Sequence, residues 1–268
     1  MSLRFSPPSM SATKRLRLRI EAIAPGFGLA LACFLLHPMA AAQDSGEDSV
    51  RARPLLARED VQKKNVEGVM SLPVGKGRRA DFLDEQPSPD SRYIADWVVD
   101  SGDNQGMPFI IIDKVGAMAF LFGAEGQLRG AAPVLLGAAL GDDSAADIGT
   151  RKLADVRPHE RTTPAGRFVA SLAKNLRGKE ILWVDYEAGI ALHRVATSNA
   201  KDRRPQRLAT ATPLDNRVSY GCINVPVTFY ENVVSPAFTG TNGIVYVLPE
   251  SRSVRKAFGS YDVQARNG

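Results

Sequence analysis

Cysteine, histidine and long apolar runs are scarce in this 268-residue sequence, which holds two cysteines and three histidines. The one extended apolar stretch, Gly26 to Leu36, is short for a spanning helix, and Pro25, Gly26 and Gly28 interrupt its front. No internal repeat is present, so a solenoid or propeller array is not expected. Asp142, Asp143, Asp147, His159 and Glu160 cluster in one stretch but follow no metal-ligand spacing, so neither a metal nor another cofactor is expected. A surplus of one charge is also missing once the N-terminus is set aside. The whole chain carries +5, but Met1 to Ala42 holds five basic residues (Arg4, Lys14, Arg15, Arg17, Arg19) and one acidic residue, Glu21. The remainder has 29 basic against 28 acidic residues, a balance of +1 that gives no argument for nucleic acid.

What those first residues do contain is an ordered signal. The basic region Lys14 to Arg19 precedes the apolar run, and Ala40-Ala41-Ala42 offers a small-residue cleavage site before Gln43. That order predicts a secretory signal peptide over 1–42, cleaved near Ala42, with no membrane span left afterwards. Leu31-Ala32-Cys33 is not a lipoprotein cleavage box, because the apolar Phe34, Leu35 and Leu36 continue past the cysteine. Cleavage removes Cys33 and leaves Cys222 as the sole thiol. In a disulfide-permissive compartment a single cysteine has three explanations: burial, an intermolecular bridge, or reactivity.

From Gln43 to Pro89 the sequence is polar and broken by Val74 to Arg79 and by Gln86-Pro87-Ser88-Pro89, which reads as a flexible linker over 43–89 with at most a short helix from Asp60 to Val69. The basic run Lys76 to Arg79 reads as a solvated face. Order is expected from Asp90, an N-cap for a helix with Tyr93, Ile94, Trp97 and Val98 on one face. Strand texture follows over Phe109 to Ile112, Ala117 to Phe122, Leu128 to Leu136, Arg167 to Leu172, Ile181 to Tyr186, Ile190 to Val195 and Ile244 to Leu248. Gly123 to Gln127 and Glu187-Ala188-Gly189 supply turns. Seven short strands with few helices predict a mainly β fold, a sandwich or barrel, over 90–250, and then a C-terminal tail over 251–268. Two long connections interrupt the pattern. Gly137 to Thr163 reads as a solvated lid, and Ala196 to Ser219 is rich in arginine. With Arg194 and Arg217 at its ends, the second reads either as a holder of substrate carboxylates or as a solvated loop.

Cys222 follows a glycine and comes shortly before Pro226, a residue suited to the first position of a helix. Val227, Tyr230, Val234 and Ala237 then recur at helical spacing, and Pro236 is expected to end that helix near Ser235. A thiol just upstream of a helix N-terminus sits in positive partial charge, which favours thiolate. A nucleophilic thiol needs a base. His193 ends an apolar strand that can aim it, whereas His159 lies in the first long connection. The bland alternatives are a buried apolar cysteine and a histidine that merely caps a strand.

His193, the segment Ser219-Tyr220-Gly221-Cys222-Ile223-Asn224 and the upstream Thr163-Pro164-Ala165-Gly166-Arg167-Phe168 together resemble the L,D-transpeptidase (YkuD-type) catalytic domain, over about Phe109 to Pro249. The Glu125-Gly126 turn matches the turn in that family's opening hairpins. The resemblance implies a mainly β exported enzyme of the bacterial periplasm and cell envelope, acting on peptidoglycan stem peptides without a cofactor. Cys222 would be the nucleophile and His193 the general base and acid. Gly221 would contribute a backbone oxyanion donor, and Tyr220 a further one. Ser219, Asn224, Arg194 and Arg217 would line the substrate side, with Ser219 and Asn224 also fixing the loop. The sequence departs from the family pattern at Tyr220, where a second histidine is usual, and at Arg194, where a small residue is usual. The interval of 29 residues from His193 to Cys222 is longer than usual. Sortase-like and papain-like readings fit less well, because no arginine is placed suitably after Cys222 and no histidine follows it. The remaining alternatives are a hydrolytic variant and a non-catalytic envelope protein that binds peptidoglycan or a partner.

Overall fold

A computed structural model describes residues 77–265, so the expected signal peptide, its cleavage near Ala42 and the Asp60 to Val69 helix lie outside the described residues. In chain order the elements are α1 (Pro89–Ser101), β1 (Phe109–Asp113), β2 (Met118–Phe122), β3 (Leu128–Pro133), β4 (Leu136–Gly137), β5 (Gly166–Lys174), β6 (Glu180–Asp185), β7 (Ile190–Arg194) and α2 (Arg204–Leu208). Then come β8 (Arg217–Ser219), β9 (Ile223–Val225), α3 (Val227–Phe229), a π-helical turn (Tyr230–Val234), α4 (Ser235–Phe238), β10 (Gly243–Val247) and α5 (Val254–Phe258). Among the described residues no helix is long and apolar enough to cross a membrane.

Eight strands form one sheet in the order β3-β2-β1-β10-β5-β6-β7-β9, while β4 and β8 pair separately. Within the large sheet β1 runs parallel to β10 and β7 parallel to β9; the other pairs are antiparallel. The two ends of the sheet meet. Leu135, just after β3, exchanges two backbone hydrogen bonds of 2.9 Å each with Asn224 of β9. The mainly β fold is therefore barrel-like, a single sheet curled on itself rather than two stacked sheets.

The sequence of β1 and β10 explains their central place. Phe-Ile-Ile-Ile and Gly-Ile-Val-Tyr-Val are buried at every position, as strands covered on both faces must be. Ile110, Ile112, Val245 and Val247 point into the barrel interior. Phe109, Ile111, Ile244 and Tyr246 point outward, into a second core roofed by Ile94, Trp97 and Val98 of α1. Ala80 and Phe82 before α1, and Val254 and Val263 near the C-terminus, bury in the same core, so segments on both sides of 90–250 pack on the sheet.

The cap of α1 is Ser88 rather than the expected Asp90. Its hydroxyl accepts from Ser91 N, and Pro89 takes the first helical position, where its missing N–H costs nothing. The expected strand Leu128 to Leu136 breaks in two at Val134 and Leu135. Strands β8 and β9 are three residues each, too short to show a period of two. Pro236 does not end its helix. The wider π turn before it, closed by Ser235 N–H on Tyr230 O, opens the coil and lets the chain carry Pro236 inside α4.

The connection from Gly137 to Thr163 is packed rather than a solvated lid. Ile148, Leu153 and Val156 are buried, and Asp142 pairs with the fully buried Lys114 at 2.8 Å. The Asp142 carboxylate also accepts from Glu250 N at 2.8 Å and Ser251 N at 3.0 Å. These donors hold its pKa well below the usual carboxylate range against the opposing effect of burial.

Candidate active site

Strand pairing sets Cys222 and His193 on the same face of neighbouring strands. The parallel register of β7 and β9 sets Leu192 beside Ile223 and His193 beside Asn224. Side chains alternate along a strand, so Leu192 and Ile223 enter the barrel while Ala191, His193 and Asn224 face outward. Cys222, one residue before β9, packs outward with Ala191, Ile181 and Trp183. Thiol and imidazole are thus diagonal neighbours on one face of adjacent strands. Both residues are largely buried, at 7% and 8% exposure. Cys222 Sγ lies 3.8 Å from Gly189 O, in the β6–β7 turn.

His193 is prepared as an acceptor. Its Nδ1 lies 2.7 Å from Arg194 O, and a carbonyl can only accept, so Nδ1 carries the proton and Nε2 keeps its lone pair. Nε2 is buried without a hydrogen-bond partner among the described residues. Burial, and then the positive charges of Arg204 and Arg194, lower the His193 pKa from 6.5 to about 4, so the ring is neutral near pH 7. His159, by contrast, sits exposed on a 3₁₀ turn.

The loop before the thiol is held by its own side chains. Ser219 Oγ donates to Cys222 O at 2.6 Å and accepts from Gly221 N at 3.0 Å. Asn224 Nδ2 donates to Cys222 O at 3.4 Å, while its Oδ1 accepts from Arg204 and from Ala196 N. Ser219 and Asn224 are fully buried, so their contribution is to the loop's shape. Gly221 has φ +128°, and a Cβ there would lie 2.7 Å from Thr162 O, so the close approach requires glycine.

Several expected roles meet a different geometry. The Gly221 amide, read as an oxyanion donor, is engaged by Ser219. The Tyr220 ring packs against the barrel interior under the Arg161 guanidinium, while Cys222 belongs to the outer cluster. Strand β9 and Pro226 separate Cys222 from the helix start at Val227, and a helix dipole acts only within its first turn. Arg217 pairs with Glu250 and donates to Lys114 O. Arg194 pairs with Glu231 at 2.5 Å and covers the Tyr230 ring at 4.0 Å. Arg204, at 5% exposure, bonds Asp202 and Asn224, so the arginine-rich connection is fastened to the site by internal partners. Thr163, quoted in the sequence only as part of a motif, bonds Gly221 O through its hydroxyl at 2.8 Å.

A cleft of about 280 Å³ lies between the β5–β6 turn (Asn175, Arg177, Lys179) and the chain after β7, with His193 in its wall. A larger cavity of about 530 Å³, beside α1 and the C-terminal segment, has no thiol or histidine in its wall. Of these two, the cleft has the imidazole of His193 in its wall.

No protein-family model and no curated protein matches the sequence. Among solved structures, the chain is similar to the L,D-transpeptidase (residues 123–326) from Xylanimonas cellulosilytica at 13% identity and a TM-score of 0.31, covering 53% of this chain and 60% of that one. It is also similar to the catalytic domain of the L,D-transpeptidase from E. faecium at 16% identity and a TM-score of 0.28, covering 53% of this chain and 96% of that one.

Proposed function

We propose that the protein is an exported cysteine acyltransferase acting on peptidoglycan stem peptides in the bacterial cell envelope. One observation carries the reading: the thiol of Cys222 and the neutral ring of His193, whose Nε2 is unpartnered among the described residues, share one face of adjacent strands, and His193 lines a cleft. The resemblance of Ser219-Tyr220-Gly221-Cys222-Ile223-Asn224 to the L,D-transpeptidase motif supports the choice of substrate.

In the first step Nε2 takes the thiol proton, and Cys222 Sγ attacks the carbonyl carbon of the bond joining the L-centre of diaminopimelate to the terminal D-alanine. The C–N bond breaks, His193 returns the proton to the leaving nitrogen, and free D-alanine departs from a thioester. In the second step an acceptor amine, or water, loses a proton to His193 and attacks the thioester carbonyl. The new acyl bond forms as Cys222 leaves and regains its proton. His193 suits both halves because it enters neutral and its lone pair is aimed by the Arg194 carbonyl.

The burial of both Cys222 and His193 favours a second reading, a non-catalytic envelope protein whose thiol is a core residue. Incubating the protein with tetrapeptide muropeptides and reading products by mass separates the two. Acyl transfer predicts D-alanine release, near-complete loss in Cys222→Ala and a loss of about 10²- to 10⁴-fold in His193→Ala. Intact mass after carbapenem treatment should show one adduct, at Cys222. Absence of product together with a thiol that resists iodoacetamide would leave the non-catalytic reading.

A further inference from the structure

We infer that Thr163 is a positioning residue for the nucleophile: its hydroxyl aims the peptide unit that joins Gly221 to Cys222. The inference rests on the acyl-transfer reading and adds a residue to it. Thr163 is fully buried, and its hydroxyl has one donor and two acceptor positions to offer. The donor goes to Gly221 O at 2.8 Å, and Gly137 N donates to the Thr163 hydroxyl oxygen at 2.8 Å. The backbone beside it is wedged between two glycines with no room for a side chain. A Cβ at Gly137 would lie 2.8 Å from Thr163 N and 2.2 Å from Arg161 O, and one at Gly221 would lie 2.7 Å from Thr162 O. Thr163 is pinned from behind as well, since Lys114 Nζ, at 0% exposure, donates to Thr163 O at 3.0 Å while paired with Asp142.

The consequence follows from peptide geometry. A trans peptide is planar, and its C=O and N–H point in opposite directions. The carbonyl of Gly221 and the amide of Cys222 belong to one such plane, so capturing the first on Thr163 fixes the direction of the second. Gly221, at φ +128°, has a freedom about this plane that a side-chain-bearing residue would lack, and without the Thr163 hydroxyl that freedom would go unrestrained. The Sγ position relative to His193 depends on the same plane. Ser219 holds the far side of the turn at Gly221 N and Cys222 O, and Thr163 holds the carbonyl that Ser219 does not reach. Only a group that both donates and accepts at one atom can serve Gly137 and Gly221 together, which admits serine and excludes alanine or valine.

The test uses the full-length exported protein, wild type with Thr163→Ser and Thr163→Ala. The last two differ in the hydroxyl alone. Acylation of Cys222 by a carbapenem is followed by intact mass over a range of concentrations, and rates are expressed per folded molecule from a parallel melting curve. Misplacement of a nucleophile by about 1 Å costs on the order of 10²-fold, so Thr163→Ala should lower the limiting rate by about that factor with little change in half-saturating concentration, and Thr163→Ser should stay within about threefold of wild type. Equal limiting rates in the alanine and serine variants would overturn the inference, as would a loss in Thr163→Ala fully accounted for by unfolded protein. A wild-type protein that no carbapenem acylates defeats the acyl-transfer reading instead. Positioning is then read from the rate of iodoacetamide alkylation against pH, where coincident profiles for Thr163→Ala and Thr163→Ser overturn it.

Discussion

The outer face of the curled sheet has two halves, and they are built to opposite ends. Over β1 and β10 it carries Phe109, Ile111, Ile244 and Tyr246 beneath α1 and the chain termini of the described region. Aromatic rings interlock there, Phe109 stacked on Phe122 at 4.8 Å and edge-on to Tyr246 at 6.1 Å. Over β6, β7 and β9 the same face carries a buried apolar cluster of Ile181, Trp183, Ala191 and Cys222, with His193 at its border. The first half buries rings against a helix and is stabilised by area and packing. The second holds Trp183 Nε1 and His193 Nε2 buried without a hydrogen-bond partner among the described residues, which adds nothing to stability. On the acyl-transfer reading proposed above, the second half is the working one.

Three measurements press on that contrast. The largest effect is expected in the roofed half, where Phe109→Ala should cost about 3–5 kcal/mol in denaturant unfolding while leaving the per-molecule alkylation rate of Cys222 unchanged. A fall in that rate would mean that the halves are not separate in function. Next comes acid. His193 titrates at about 4 in the folded protein against 6.5 ordinarily, so between those values the unfolded chain binds more protons. Stability should therefore rise with pH across that window and be lost as pH falls through it, by about 2–3 kcal/mol between pH 7 and pH 4.5, and this component should vanish in His193→Gln. An unaltered pH dependence in the variant would place the titrating group elsewhere. The smallest effect belongs to the exposed pair Arg78–Glu125 at the rim of the roofed half, where Arg78→Ala should shift stability by no more than about 0.5 kcal/mol. A larger shift would extend the importance of the roofed half to its surface.

Much of the β framework was legible because its strands are dense in branched and aromatic residues and are bounded by turn formers. Phe109 to Ile112, Ile181 to Tyr186 and Ile190 to Val195 were expected close to where they lie, and Gly189, at φ +68°, closes the turn expected over Glu187-Ala188-Gly189. The helix after Cys222 was also visible in outline, but not its π turn, since hydrophobic spacing does not report which carbonyl an N–H will choose. Strand β9 escaped notice for a related reason: Ile223-Asn224-Val225 is too short for alternation to register, and its strand character comes from β7 on one side and Leu135 on the other. That strand keeps Cys222 outside the first turn of the helix, where a dipole would act.

The residues of the site divide along the same line. The chain alone singles out Cys222, because one thiol remains after the expected leader is removed, and it singles out His193, because a strand end can aim an imidazole. The Thr163-Pro164 motif is also present in the chain, but without a role. Only the folded chain, through a hydrogen bond between residues 58 apart in sequence, assigns Thr163 to the Gly221 carbonyl, and it alone turns Arg204 of the long connection inward. Local pattern fixes which residues want to be strands or turns, since that preference is carried by neighbours in sequence. Which strands lie side by side, and therefore which side chains share a face, is decided by closure of the sheet, a property of the whole chain that no short window contains.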